Sequence, residues 1–172
     1  MSKKATAKDL GREAVKRYLQ QYHAAQKKKR ILENRHSTLL RELQAPSVGS
    51  PFRTIPTSKP AKTDGAVSVV FRIAEVEDRI EQQREEMAKA VLQVMDLIDL
   101  LPQNSIERNI VELRHIDCMA WDKIAESIYM SRSNVFNYYN AALDTLLSYK
   151  RAEKLVGDFI AKENKCRQQK CV

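Results

Sequence analysis

The sequence predicts an all-α fold, in which long coiled-coil-like helices are followed by a C-terminal helix-turn-helix domain. Only four glycines and five prolines occur in 172 residues, and such a composition favours helix over turn-rich folds. Apolar residues also recur at alternating spacings of three and four over two long stretches, which is typical of helices that pair along a seam. The last third has the apolar pattern of two short crossing helices.

The first element is a basic helix within residues 1–44. Residues 8–44 contain no proline, and we expect one continuous helix there. Its seam positions are apolar or aromatic: Tyr18, Tyr22, Ala25, Leu32, Leu39 and Leu43. Lys29 and His36 occupy two further seam positions, which makes the seam less regular.

A linker and a second long helix follow. Residues 45–68 hold four of the five prolines, which indicates a flexible linker. Residues 69–101 then continue the seam with a single polar residue, Gln83, and the helix is expected to end before Pro102. The seam positions are Ile73, Val76, Ile80, Gln83, Met87, Ala90, Val94, Leu97 and Leu101. The two long helices could pair within one chain or between two copies, and we expect a homodimer through them.

Residues 102–149 form the third region, and a basic C-terminal helix and tail occupy residues 150–172. We expect a helix over 105–116, capped by Asn104 or Ser105, with Asn104 and Glu107 forming a capping-box pair. The chain then forms a loop, a short helix over Trp121–Ile128 and a turn at Tyr129–Met130. Ser131 is expected to cap a longer helix that reaches at least Leu147.

The stretch from Trp121 to Asn140 fits the helix-turn-helix pattern, which needs apolar residues at fixed positions because two short helices cross over a small core. Five positions are predicted to be buried, and a sixth must be small: Ile124, Ile128, Met130, Val135, Tyr138 and Ala125. The ninth position needs a positive φ and is usually glycine, but here it is Tyr129. Tyr138 is predicted to be core and Tyr139 to border it.

The opposite arc of the second short helix is mostly polar and would face the major groove of DNA. Its candidate residues are Ser131, Arg132, Ser133, Asn134, Phe136, Asn137 and Asn140. An arginine can hold a guanine with two hydrogen bonds, an asparagine can hold an adenine, and Phe136 could contact a thymine methyl or a protein partner. The alternative is a polar helix surface that faces only solvent.

Charge is distributed unevenly along the chain. Residues 102–147 carry four Lys/Arg against six Asp/Glu, a net of −2, whereas residues 1–44 carry twelve against four, a net of +8. Phosphate neutralisation supplies most non-specific affinity for DNA. It would therefore come from the N-terminal arm, from the C-terminal helix and from a few candidate cations, or these cations form a solvated helix face. The candidates are Lys27, Lys28, Lys29, Arg30 and Lys123.

The third region resembles region 4 of the sigma-70 family. The matching residues are Leu101-Pro102, Arg114-His115, Ile124-Ala125-Glu126, Ser131-Arg132, Val135 and Ala142-Leu143, and Cys118 replaces a loop glycine. The whole layout resembles phage and prophage transcriptional regulators of the ArpU and RinA type. This resemblance implies sequence-specific binding to double-stranded DNA and activation of phage late genes. Two alternatives remain: an adaptor that docks on bacterial RNA polymerase, and a DNA-packaging recognition subunit.

Other function classes lack support in the sequence. No phosphate-binding glycine loop and no catalytic motif occurs, so we expect neither an enzyme nor a cofactor. His115 with Cys118, and Cys166 with Cys171, lack fixed zinc-site spacing, so we expect no metal and three reduced thiols. No apolar run approaches the ~20 residues that a membrane span needs. We therefore expect a soluble, intracellular protein, and the resemblance to phage regulators implies a cytoplasmic, nucleoid-associated protein in a bacterial host.

Overall fold

Helices dominate the computed structural model, which describes residues 7–44 and 64–169. The predicted all-α class is confirmed, because these residues form seven helices and no strand. The helices are α1 (Ala7–Leu19), α2 (Gln21–Gln44), α3 (Asp64–Ile98), α4 (Ile106–His115), α5 (Trp121–Ser127), α6 (Arg132–Ser148) and α7 (Lys150–Gln169).

The described residues belong to two compact units. The first unit contains the chain up to Ala25 and from Met87 onward, and the second contains the residues between them, Gln26–Glu86. No helix in the described ranges is both long enough and apolar enough to cross a membrane.

The predicted single N-terminal helix is interrupted at Gln20, which separates α1 from α2. Helical hydrogen bonding nevertheless continues across the interruption, from Gln20 N to Lys16 O at 3.0 Å and from Ala24 N to Gln20 O at 2.9 Å. The chain therefore deviates locally without leaving the helical path. The sequence prediction missed this because α1 packs against α6 and α7, which lie far away in sequence.

The second unit is a pair of helical arms, one from α2 and one from α3. Leu39 from α2 and Ile73 and Ile80 from α3 are buried, as the seam pattern predicted, whereas Leu43 is exposed. His36, a polar seam residue, lies with its Nε2 2.9 Å from Glu77 Oε1. The α2 and α3 arms thus contact each other within this chain, and the homodimer stays a prediction.

Both ends of α3 differ from the predicted range of 69–101. The helix begins at Asp64, inside the predicted linker, of which residues 45–63 lie outside the described part. It ends at Ile98, and Leu101 N then bonds to Ile98 O at 2.9 Å in a tighter turn. This turn keeps Leu101 buried while the chain changes direction before Pro102.

The first unit has a continuous apolar core that draws on α1, α3, α4, α5, α6 and α7. Ser105 caps α4, because its Oγ accepts a hydrogen bond from Arg108 N at 3.1 Å. The predicted Asn104–Glu107 pair is therefore wrong, and Ser105 is the correct one of the two candidate caps. Gly11 lets α1 approach α6 closely, since a Cβ there would lie 3.2 Å from Leu147 Cδ2. The predicted C-terminal helix is present as α7, which buries Val156.

Candidate nucleic-acid interface

The α5–α6 pair is joined by a short turn that follows Ser127. Met130 N bonds to Ala125 O at 3.0 Å and Tyr129 N to Glu126 O at 3.3 Å. Ser131 begins the next helix as predicted, with its Oγ accepting a hydrogen bond from Asn134 N at 3.3 Å. The hydroxyl oxygen of Ser131 is thus already used as a helix cap.

Tyr129 has the positive φ that the pattern requires at this turn position. Its φ is 53°, and its side chain is 96% exposed. A left-handed backbone costs a residue with a Cβ about 1–2 kcal/mol. Cys118, which replaces the loop glycine of the resembled pattern, also has a positive φ, of 55°. Both positions, where glycine is expected, therefore have the backbone conformation that glycine favours, although neither residue is glycine.

The core between α5 and α6 matches the sequence prediction at most positions. Ile124, Ala125 and Val135 are buried, and Ile128 and Met130 are half-buried. The two adjacent tyrosines are the reverse of what was predicted, because Tyr139 is 4% exposed and Tyr138 is half-buried. The reason for this difference lies in α4.

His115 at the end of α4 holds Tyr139 in the core. Its Nε2 lies 2.9 Å from the Tyr139 hydroxyl, and the two rings stack with centroids 5.8 Å apart. Burial, with a smaller effect from the charge of Arg114, lowers the pKa of His115 to about 3, although a hydrogen bond to the Leu19 backbone opposes this. The imidazole is therefore neutral at physiological pH, and burial also raises the pKa of Tyr139.

A second cluster of aromatic rings surrounds Trp121 between α5 and α6. Its ring centroid lies 4.6 Å from that of Phe136 and 4.9 Å from that of Tyr139. The Arg114 guanidinium lies 4.8 Å above the indole and donates to Met119 O at 2.7 Å. Trp121 thus packs between α4, α5 and α6. Phe136 is half-buried, with its ring against that of Trp121, and its contact with a thymine methyl or a protein partner stays a prediction.

The outward face of α6 is polar. Ser133, Asn134 and Asn137 are exposed, and Asn140 is half-buried. Sequence reasoning missed Ala141, which is also exposed and follows Asn137 by one turn. Helical periodicity extended past Asn140 places Ala141 on this face, but a small apolar side chain carries no chemical signal of a contact.

Arg132 is exposed at the start of α6 and is already paired. Its Nη1 lies 3.0 Å from Asp122 Oδ1, and its guanidinium lies 5.7 Å from the centre of the Phe136 ring. Both partners leave it accessible, since its side chain is 59% exposed. Binding a base would require Arg132 to leave Asp122.

The predicted phosphate-binding cations fall into different units. Lys123 lies exposed on α5, in the first unit with α6. The other four, Lys27, Lys28, Lys29 and Arg30, lie on the α2 arm of the second unit, where Lys29 pairs with Glu33 at 3.2 Å. The structure therefore brings only Lys123 of these five into the same unit as the outward face of α6.

Two cations that the sequence did not single out contact α6 directly. Arg12 on α1 donates to both carboxylate oxygens of Asp144 at 2.7 Å, and Lys8 Nζ lies 2.9 Å from Asp144 Oδ2. Together they hold the pKa of Asp144 well below its usual range. Arg12 and Asp144 are 132 positions apart in the sequence, so no local pattern could have revealed their contact.

Metal-binding chemistry has no geometric support in the described ranges. They contain no group of three or more His, Cys, Asp or Glu side chains that could hold an ion. His115 is occupied by Tyr139, and Cys118 is a free thiol whose Sγ lies 3.7 Å from Ile116 O.

Comparison with known proteins identifies one matching family model. It carries the description "Protein of unknown function (DUF1492)" and matches residues 59–147, about half of the chain, including all of α3, α4 and α5 and nearly all of α6. No curated protein and no solved structure is significantly similar to the chain.

Proposed function

This chain belongs to the DUF1492 family, and we propose that it is a sequence-specific DNA-binding transcriptional regulator whose α6 enters the major groove. The observation that carries the proposal is the outward face of α6, where Ser133, Asn134 and Asn137 are exposed on a helix whose other side is fixed in the core. Helix-turn-helix proteins read bases with the N-terminal residues of such a helix.

Each outward side chain has a chemical role in this proposal. Asn137 holds an adenine through its amide oxygen and nitrogen, and Arg132 holds a guanine once it leaves Asp122. Ala141 offers a methyl group to a thymine. Ser131 works as a helix cap, so its contribution is the position of α6 and not a base contact.

Two positive φ values support the helix-turn-helix interpretation. Tyr129 has a positive φ at the position where the helix-turn-helix pattern usually has glycine, and Cys118 has one where the sigma-70 region 4 pattern has a loop glycine. This agreement in conformation is independent of the residue identities that first suggested the resemblance. The same resemblance leads us to propose a regulator, specifically an activator, of phage or prophage genes.

The test is selection of bound sequences from a random double-stranded DNA library by the full chain, followed by titration of the selected and a scrambled duplex. We expect a selected motif and tighter binding to it, because base contacts discriminate by about 1–3 kcal/mol each. Asn137→Ala should reduce this preference about tenfold or more and leave the salt dependence unchanged. Asn109→Ala, the same change at an exposed position on α4, is the control and should bind like the unchanged chain.

Failure to select any motif, with equal binding to both duplexes, would contradict direct reading of DNA by α6. An Asn137→Ala chain that keeps its preference would contradict the role of Asn137 alone.

The second candidate is an adaptor that docks on RNA polymerase. The observation in its favour is the net charge of −2 over residues 102–147, which gives the α5–α6 pair little attraction for DNA. DNA binding that becomes selective only after polymerase is added would support the adaptor. Ring-shaped oligomers would instead favour a DNA-packaging subunit.

A further inference from the structure

A cationic corner lies at the far end of the outward face of α6, built from Lys8, Arg12 and Asp144. Asn137 follows Ser133 by four residues, and Asp144 follows Asn137 by seven, so the three positions share one stripe of the helix. Seven residues correspond to about 10 Å along the helix axis. The corner is thus a short distance beyond Asn137 on the same side of α6.

A lone carboxylate on this stripe would repel a phosphate backbone, but Asp144 is not alone. Arg12 occupies both of its oxygens at 2.7 Å and Lys8 adds a contact at 2.9 Å. Among these three side chains, two positive charges face one negative charge, while the carboxylate of Asp9 on α1 also acts on Arg12. The Lys8 side chain is 62% exposed, and its ammonium group has three donor hydrogens, so donors remain for a second anion.

The cations are held in place by the packing of α1. Lys8 and Arg12 are four residues apart and therefore lie on one face of α1. Val15 of the same helix is buried, and Gly11 brings the α1 backbone close to Leu147. Lys8 and Arg12 thus project toward α6 from a fixed support.

We infer that Lys8 and Arg12, held beside Asp144 by the packing of α1, form a phosphate-binding site for the DNA backbone that flanks the bases read by α6. The inference rests on the proposed function, and it identifies the residues that supply the electrostatic affinity for DNA. The site explains how a region with a net charge of −2, residues 102–147, could bind DNA. The cations that the α5–α6 pair lacks come from α1, which is distant in sequence. Phosphate contacts of this kind fix the register of a protein on DNA without reading its sequence.

The experiment measures binding of the full chain to its selected duplex and to a scrambled duplex at several salt concentrations. Lys8→Gln is expected to weaken binding to both duplexes equally, about five- to tenfold at 0.1 M salt, and to reduce the salt slope by about one. Lys162→Gln, at an exposed position on α7, is the matched control and should change neither quantity.

Asp144→Asn tests the site in the opposite direction. It removes the negative charge and frees both cations, so affinity for both duplexes should rise several-fold. If the ion pairs served only to hold α1 against α6, then Asp144→Asn and Lys8→Gln would weaken binding together or leave it unchanged together. Thermal unfolding of each variant checks that the fold is intact.

Three results would overturn the inference: equal effects of Lys8→Gln and Lys162→Gln, no effect of Lys8→Gln on the salt slope, or weaker binding by Asp144→Asn. Each can occur while Asn137 still governs sequence preference. Failure of the phosphate site is therefore distinguishable from failure of the proposed function, in which no selective binding to DNA is seen at all.

Discussion

The two units bury their apolar residues to different depths. In the first unit, Ile124, Val135 and Leu143 are completely inaccessible, because helices cover them from several sides. In the second unit, two arms cover only one side of each other, and Ile80 keeps 8% of its surface exposed, like Gln83 beside it. The comparison teaches that fixed geometry for recognition belongs to the first unit, whereas the arms have less burial to stabilise them.

The largest effect that we expect concerns pH and the first unit. The pKa of His115 falls from 6.5 to about 3 on folding, so the unfolded chain binds the proton more readily. This contribution to stability is fully present above pH 6.5 and is lost as pH falls toward 3, with a maximum of about 4–5 kcal/mol. Thermal unfolding at pH 7, 6, 5 and 4 should show the unfolding temperature falling with each step of acidification below pH 6.5.

The control for this pH effect is His115→Gln, which removes the titrating group next to Tyr139. The charged and titratable neighbours of the pair, Arg114, His23 and Glu13, stay in place. The variant should be less stable at pH 7 and should lose less stability on acidification between pH 6.5 and 4. An equal loss in both proteins would assign the acid sensitivity to other groups.

The next effect compares equivalent truncations in the two units. Leu143→Ala should cost about 3–4 kcal/mol, because the completely buried site cannot collapse around the cavity. Ile80→Ala in the α3 arm should cost about 2 kcal/mol, because the arms cover this residue from one side only and can adjust around the cavity. Denaturant titration together with hydrogen exchange resolves the two units, and equal costs would remove the distinction between them.

The smallest effect is a stabilisation of the second unit. Gln83 is 8% exposed, and its Nε2 has no hydrogen-bond partner among the described residues. Replacing an unsatisfied buried amide by an apolar side chain removes a penalty of about 1–2 kcal/mol. Gln83→Leu should therefore raise hydrogen-exchange protection in the arms and leave the first unit unchanged. A loss of protection would indicate that Gln83 bonds to a group outside the described residues.

Local chemistry was readable from the sequence. The seam of α3 was predicted because its apolar spacing repeats over many turns, and Ser131 was predicted as a cap because serine satisfies free amides at a helix start. The positive φ of Tyr129 followed from the geometry that a tight turn between crossing helices requires.

Features that depend on distant residues were not readable. Tyr139, not Tyr138, is buried because His115, 24 residues away, accommodates its hydroxyl. Helical periodicity placed both tyrosines near the core, and only the partner decides between them. The cations on Asp144 come from α1, and nothing near Asp144 in sequence indicates them.

The close approach of α1 to α6 at Gly11 has a consequence for synthesis on the ribosome. The partner of Gly11 is Leu147, and α1 also packs against α7, so these partners lie more than a hundred residues downstream. At ~5–20 residues per second, α1 waits on the order of ten seconds for these partners to be made. During that time Val15 and Leu19, both buried in the finished fold, have no α6 or α7 to cover them. The nascent chain is thus exposed to chaperones and proteases until α6 and α7 emerge.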